Sequence, residues 1–325
     1  MKSNRAAAPL FATVNVTGIC NLRCSYCFFQ PRLERNMALE DFEHVIDQLA
    51  RAQVFFLNIS GGEPFAHPQI DQLLRIAHRR FRHINVLTNG TLLKPKHIAA
   101  IAEIMAMKQA FPVQVSLDAV DDAINAETRG ATAKVLRNLR TLGELGANIV
   151  VAMVLTRSNV DRAVESIRLL SQFTRHFHVM EVQKVRALNG ADSELAIPKE
   201  RLDRAWRDIQ AIRNELGLYV EIPLEASDEE LGCACGPQCM AGFSHIVIDP
   251  DLKVRPCDRC VETYVGDLTY QTLDEIWASE PVHRVLSSPV VFCQLDDQRI
   301  DRNAAVVVQP PKSGVIRKRL GASVQ

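Results

Sequence analysis

The chain carries no excess of either charge: 38 lysines and arginines stand against 38 aspartates and glutamates in 325 residues. That balance gives no bulk electrostatic reason to expect a nucleic-acid partner. The basic run His78-Arg79-Arg80-Phe81-Arg82-His83 is read as a solvated helix end. Eighteen apolar residues never follow one another, so no membrane span of ordinary length is expected. The opening Met1-Lys2-Ser3-Asn4-Arg5-Ala6 leads into no apolar stretch of signal-peptide length. The nine cysteines are odd in number and bunched, which is not the pattern of a disulfide framework in a small secreted domain. The resulting expectation is a chain of the reducing cytoplasm, with no membrane and no nucleic-acid partner. At 47% hydrophobic and 23% charged, it has material for a large core, and its length suits one large domain with a smaller one.

Three of those cysteines share one short loop: Cys20, Cys24 and Cys27, within Cys20-Asn21-Leu22-Arg23-Cys24-Ser25-Tyr26-Cys27. Three and two intervening residues suit thiolates gathered around one iron–sulfur cube. A cube has four irons and the loop offers three thiolates, so one iron is left for a small ligand. Structural zinc closes four ligands, and the loop holds no fourth donor. Zinc and plain structural cysteines are the alternatives that spacing alone leaves open.

From residue 11 to about 216 the chain alternates strand and helix patterns. Short β-rich runs cover 11–17, 54–60, 83–88, 112–117, 148–155 and 177–182. Between them run apolar stripes at helical spacing: Ile70, Leu73, Leu74 and Ala77; Val135, Leu136, Leu139 and Leu142; Leu202, Ala205, Trp206, Ile209, Ile212 and Leu216. These stripes are core faces. Six strand–helix units in succession predict an α/β fold with a parallel sheet, and six are too few for a closed eight-unit barrel. A partial (β/α)6 TIM-like barrel is expected over 11–216, after a short extension at 1–10. The cysteine loop follows the first strand, Gly61-Gly62-Glu63-Pro64 the second, Thr88-Asn89-Gly90 the third and Ser116-Leu117-Asp118 the fourth. All four fall at carboxyl ends of parallel strands, the face on which such barrels build active sites.

The pattern changes beyond residue 217. Cys233, Cys235 and Cys239 cluster near Gly232, Gly236 and Pro237. A hairpin is expected from 243–248 and 252–255 across Asp249-Pro250-Asp251. Cys257 and Cys260 follow, then a short helix near 273–278. A small hairpin-and-helix domain is therefore expected over 217–299. The polar, aperiodic stretch 300–325 is expected to be disordered.

On these residues the chain resembles the radical S-adenosylmethionine (SAM) superfamily. The loop matches that family's CxxxCxΦC motif, with Tyr26 as the aromatic Φ, and Gly61-Gly62-Glu63-Pro64 matches its GGEP motif. The resemblance covers roughly 11–216. It implies a [4Fe–4S] cluster on Cys20, Cys24 and Cys27 whose open iron chelates the methionyl amino and carboxylate groups of SAM. It further implies reductive cleavage of SAM to a 5′-deoxyadenosyl radical that abstracts a substrate hydrogen. The Gly61, Gly62, Glu63 and Pro64 loop would hold the SAM ammonium, and the glycines would permit close backbone approach. Ser116 and Asp118 would meet the ribose hydroxyls, Arg129 the SAM carboxylate, and Asn159 the adenine or ribose side. Helix capping accounts for Asp118 and for Ser158 or Asn159 as well, and Arg129 could be a surface-loop residue.

The carboxyl-terminal part resembles the twitch/SPASM type of auxiliary-cluster domain. The matching stretch is Cys239-Met240-Ala241-Gly242, the hairpin, Pro256-Cys257, Gly266-Asp267-Leu268 and Leu273-Asp274-Glu275-Ile276-Trp277. The resemblance implies one auxiliary [4Fe–4S] cluster on Cys239, Cys257 and Cys260, with a fourth ligand from Cys233, Cys235 or Cys293; a zinc site of four cysteines is the alternative. A spare thiol, Cys233 or Cys235, could return a hydrogen atom to a substrate radical. Enzymes with this pairing commonly act on ribosomally made peptides, forming crosslinks or thioethers or epimerising residues. Others oxidise small molecules such as sugars or aminoglycosides. No leader-binding domain is expected before the first strand. The implied partners are a reductant such as flavodoxin or ferredoxin and a peptide or small-molecule substrate.

Overall fold

The computed structural model of the chain describes residues 6–27, 29, 33–107, 111–182, 192–222, 241, 243–260 and 263–287. Cys233, Cys235, Cys239, Cys293 and the expected tail at 300–325 lie outside them. Strands β1 (Phe11–Thr17), β2 (Phe56–Gly61), β3 (His83–Thr88), β4 (Val113–Ser116), β5 (Ile149–Leu155), β6 (His176–Glu181) and β7 (Tyr219–Glu221) pair in sequence order, all parallel. Helices α1 (Leu39–Arg51), α2 (Ile70–Arg80), α3 (Pro95–Ala106), α4 (Asp122–Ala126), α5 (Thr132–Glu144), α6 (Ala163–Leu170), α7 (Asp192–Leu195) and α8 (Lys199–Leu216) lie between them. This is the expected open run of six strand–helix units, extended by the short β7.

The local sequence explains the elements. In α1, Phe42, Val45, Ile46 and Leu49 recur at helical spacing and are buried, with Glu40 and Asp41 in the first turn and Arg51 in the last, matching the helix dipole. The β5 run Ile-Val-Val-Ala-Met-Val-Leu suits a central parallel strand covered on both faces. Helix α8 stops at Gly217, whose φ of 60° is the left-handed cap glycine supplies. In β1 the pleat sorts side chains: Ala12, Val14 and Val16 are fully buried in the core cluster with the helices, while Thr13, Asn15 and Thr17 form the opposite, polar face.

The expected hairpin is present as β8 (His245–Ile248) and β9 (Lys253–Arg255), antiparallel to each other, followed by β10 (Gly266–Asp267). It is not a detached sheet. β8 pairs parallel with β1, so the described strands form one ten-stranded sheet, β10-β9-β8-β1-β2-β3-β4-β5-β6-β7. Helix α9 (Leu273–Trp277) opens with a Thr272–Glu275 capping box, and α10 (Glu280–Ser287) follows. The Trp277 indole N–H donates to the Ala6 carbonyl at 3.1 Å, and Leu10 N–H to Ser244 O at 2.7 Å, joining the first described residues to the hairpin end. Among the described residues no helix is long and apolar enough to cross a membrane.

Candidate active site

Four loops meet at the carboxyl ends of β1 to β4, as the strand order requires. The cysteine loop leaves β1 and is stitched to the Gly61-Gly62-Glu63 turn by backbone bonds: Gly62 N–H to Thr17 O and Glu63 N–H to Ile19 O, both 2.8 Å. This contact explains the glycines. A Cβ on Gly61, whose φ is 138°, would sit 2.2 Å from Thr17 O, and one on Gly62 2.4 Å from Ile19 O. The close approach they allow is to the backbone of the cysteine loop.

Glu63 is fully buried. Its Oε1 accepts from Phe65 N–H at 3.0 Å and Thr88 Oγ1 at 2.7 Å, and its Oε2 from Asn89 N–H at 2.7 Å. Burial pushes its carboxyl up to about 6 against these donors. An ionised carboxylate has about four acceptor positions, so three are filled by the fold and one is left.

Asn89 extends the network. Its Nδ2 donates to Asn21 Oδ1 at 3.0 Å and points at Cys20 Sγ at 3.8 Å, and its Oδ1 accepts from Thr91 Oγ1 at 2.6 Å. Asn21 in turn donates to Thr91 Oγ1 at 2.8 Å. The β3 end therefore clamps the cysteine loop from one side. The β4 end clamps it from the other. Asp118, 1% exposed, accepts from Tyr26 Oη at 2.5 Å and Thr128 Oγ1 at 2.8 Å through Oδ2, from Val154 N–H at 3.1 Å through Oδ1, and from Arg129 Nε at 3.2 Å through both oxygens.

Arg129 is aimed by that carboxylate. Its Nη1 lies 3.9 Å from Cys24 Sγ, and its guanidinium carbon 5.2 Å from the Tyr26 ring centre. Burial pushes the Cys24 thiol up while Arg129 pulls it down, and the neighbouring cysteines raise it further. Thiolate formation at Cys24 is thus coupled to whatever binds there.

The two capping alternatives do not hold. The first turn of α4 is capped by Asp121, whose Oδ1 accepts from Ile124 N–H at 3.0 Å. Asn159 caps nothing with its side chain. Its Nδ2 donates to Asp118 O at 3.0 Å and Val154 O at 2.8 Å, and its Oδ1 accepts from Thr156 N–H at 2.7 Å, bracing the β4 and β5 ends together. Ser158 bonds Glu127. Arg129 is no surface residue, at 14% side-chain exposure. Ser116 ends β4, half-buried beside these groups.

Asn21, Asn89, Thr91 and Thr128 carry much of this geometry and were not singled out for it by sequence. The strand-end position of Asn89 was visible; its pairing with Asn21, 68 positions away, was not. A cavity of about 420 Å³ between α6 and α8, lined by Arg168, Arg204, Asp208 and Glu215, belongs to the helical layer and is apart from these loops.

At the hairpin, Cys257 and Cys260 form a turn, with Cys260 N–H donating to Cys257 O at 3.2 Å. The Cys260 thiol donates to Cys257 and holds the Cys257 thiol below its ordinary range. Among the described residues no three His, Cys, Asp or Glu side chains converge as one shared ion would require. A cube with each thiolate on its own iron makes no such demand, and the Cys20, Cys24 and Cys27 set, with nitrogen donors facing two of its sulfurs, fits it.

Residues 14–170 match the family model described as the radical SAM superfamily, and 239–303 the SPASM model, described as an iron-sulfur cluster-binding domain. The chain thus carries a radical SAM domain followed by a SPASM domain. The two domains imply [4Fe–4S] clusters and SAM binding. The chain is 26% identical over 302 residues to the antilisterial bacteriocin subtilosin biosynthesis protein AlbA of Bacillus subtilis, covering 87% of this chain but 62% of AlbA. It is 28% identical over 298 residues to the mycofactocin maturase MftC of Mycobacterium ulcerans, covering 87% of this chain and 78% of that one. Among solved structures, Streptococcus suis SuiB bound to its precursor peptide SuiA superposes with a TM-score of 0.72 at 19% identity, covering 88% of this chain and 68% of SuiB. At that identity the likeness speaks for the fold.

Proposed function

We propose that this radical SAM enzyme modifies a ribosomally made peptide, by crosslinking, thioether formation or epimerisation. What carries the reading is that two relatives matched over 87% of this chain bear the names of a bacteriocin biosynthesis protein and a maturase. In this reading Cys20, Cys24 and Cys27 hold a [4Fe–4S] cluster. Bound there, such a cluster would supply the electron for reductive cleavage of SAM, the chemistry that opens hydrogen abstraction from the peptide.

The chain's own residues do the positioning. Arg129, aimed by Asp118 and stacked on Tyr26, offers its free guanidinium edge to the SAM carboxylate. The Gly61, Gly62, Glu63 and Pro64 turn presents backbone acceptors and the remaining Glu63 lone pair to the ammonium. Ser116 lies on the ribose side. Asp118 and Asn159 act through the loops they brace. Cys239, Cys257 and Cys260 hold an auxiliary cluster within a domain at 217–299, with the fourth ligand from Cys233, Cys235 or Cys293. One of Cys233 and Cys235 is the spare thiol that could return a hydrogen. A flavodoxin or ferredoxin supplies the electron.

The test is incubation of the reduced, reconstituted protein and SAM with short peptides encoded by its neighbouring reading frames, read by mass spectrometry. A crosslink or thioether removes two hydrogens, and an epimerisation in D2O installs one solvent deuterium. An unaltered peptide, with 5′-deoxyadenosine rising instead on addition of a sugar or aminoglycoside, would replace this reading with the small-molecule one.

A further inference from the structure

Among the described residues Arg255 ranks first in volume of the fully buried side chains, at 1% exposure, and nothing in the SAM site uses it. A buried cation is costly unless paired. Its Nε donates to Asp249 Oδ2 at 2.7 Å and its Nη2 to Asp249 Oδ1 at 2.8 Å, a two-pronged pair. Asp249 Oδ1 also accepts from Asn15 Nδ2 at 2.8 Å. Asn15 lies on β1, the strand that runs into the cysteine loop.

The third nitrogen turns the other way. Nη1 donates to Asp258 O at 2.9 Å and reaches Cys257 O at 3.5 Å, both within the Cys257–Cys260 turn. The guanidinium carbon lies 5.8 Å from the ring centre of Phe29, two positions after Cys27. One side chain thus touches β1 through Asp249, the hairpin cysteines, and the end of the first cysteine loop. Its counter-ion sits on the β1 side, so the positive end of the pair faces the Cys257–Cys260 turn.

We propose that Arg255 is a positioning residue for the auxiliary cluster: it locks the Cys257–Cys260 turn onto β1 and raises that cluster's reduction potential. The proposal rests on the reading of Cys257 and Cys260 as cluster ligands. Reduction adds one negative charge to a cluster, so a nearby cation and hydrogen bonds to the ligand loop favour the reduced form.

The test is an EPR-monitored redox titration of the reconstituted holoprotein, with SAM present to separate the two clusters' signals. Arg255→Gln is expected to move the auxiliary midpoint negative. Asp249→Asn, which leaves the cation without its counter-ion, is expected to move it positive. Both should move the auxiliary midpoint more than the SAM-site midpoint. Arg255→Lys keeps the charge but loses the fork; it should retain the auxiliary iron, hold the midpoint above that of Arg255→Gln, and release iron to a chelator about tenfold more readily. Unmoved midpoints, or shifts of one sign in both the Gln and Asn variants, would overturn the proposal, because a merely structural role predicts no reversal of sign. Should Arg255→Gln fail to load iron, the order of the other two decides: the Arg255→Lys midpoint should lie at or below that of the wild type and the Asp249→Asn midpoint above it, and any other order overturns the proposal. Cys257→Ala and Cys260→Ala each keeping all the iron would instead sink the ligand reading beneath it.

Discussion

Four donors converge on the two oxygens of Asp118: the Tyr26 hydroxyl, the Thr128 hydroxyl, the Val154 N–H and the Arg129 guanidinium. Asp118→Asn removes the only negative charge paired with the buried Arg129 among the described residues, and it turns one acceptor into a donor facing donors. It should cost about 3–5 kcal/mol in chemical denaturation and weaken SAM binding by releasing Arg129. Glu63 makes a different prediction. Its carboxyl is held at about 6 against an ordinary 4.5, so the folded state keeps that proton more tightly than the unfolded one. The group's contribution to stability is therefore full below about pH 4.5 and lost as pH rises to about 6, by about 2 kcal/mol. Glu63→Gln should abolish that slope, measured as denaturation midpoint against pH, and should raise the SAM dissociation constant at pH 7.5 while cluster spectra persist.

At the scale of the element, the close seam between the cysteine loop and the β2 turn is the critical joint. Gly62→Ala would bring a Cβ 2.4 Å from Ile19 O, while a Cβ on Gly130, at a φ of 77°, meets nothing within 4 Å. Gly130→Ala should cost only the left-handed strain of about 1–2 kcal/mol and leave iron incorporation intact. Gly62→Ala should cost more, on the order of 3 kcal/mol, and lower the iron bound at the first site. Thermal unfolding and iron assays on the two variants check this. The seam also marks the limit of what could be read from sequence. The Gly-Gly pair was visible, and so was its strand-end position, because alternation of β-branched runs and helical stripes is a local signal. The partner of those glycines, a backbone carbonyl of another loop, leaves no side-chain trace. β7 and β10, of three and two residues, escape notice for a different reason: they are too short to show a period.

At the scale of the molecule, the parallel pairing of β8 with β1 puts residues some 230 positions apart side by side, and no local pattern encodes it. The hairpin itself was legible from Asp249-Pro250-Asp251 and its flanking runs; its fusion to the barrel sheet was not. That fusion brings the Cys257–Cys260 turn and the Cys20–Cys27 loop to the same strand, β1, through Asn15 and Asp249. Three cysteines in eight residues stand out in a sequence as a candidate metal site, whereas the asparagines that hold their loop do not. With two cluster sites, the reconstituted protein should bind about eight irons per chain, falling to about four when Cys20, Cys24 and Cys27 are all changed to Ala. The measurement that tests the account most directly is product analysis of the chemically reduced, fully loaded protein with SAM and no peptide. 5′-Deoxyadenosine and methionine should form in equal amounts with the wild type and not at all with that triple variant. No 5′-deoxyadenosine from the wild type, with both clusters verified spectroscopically, would contradict it.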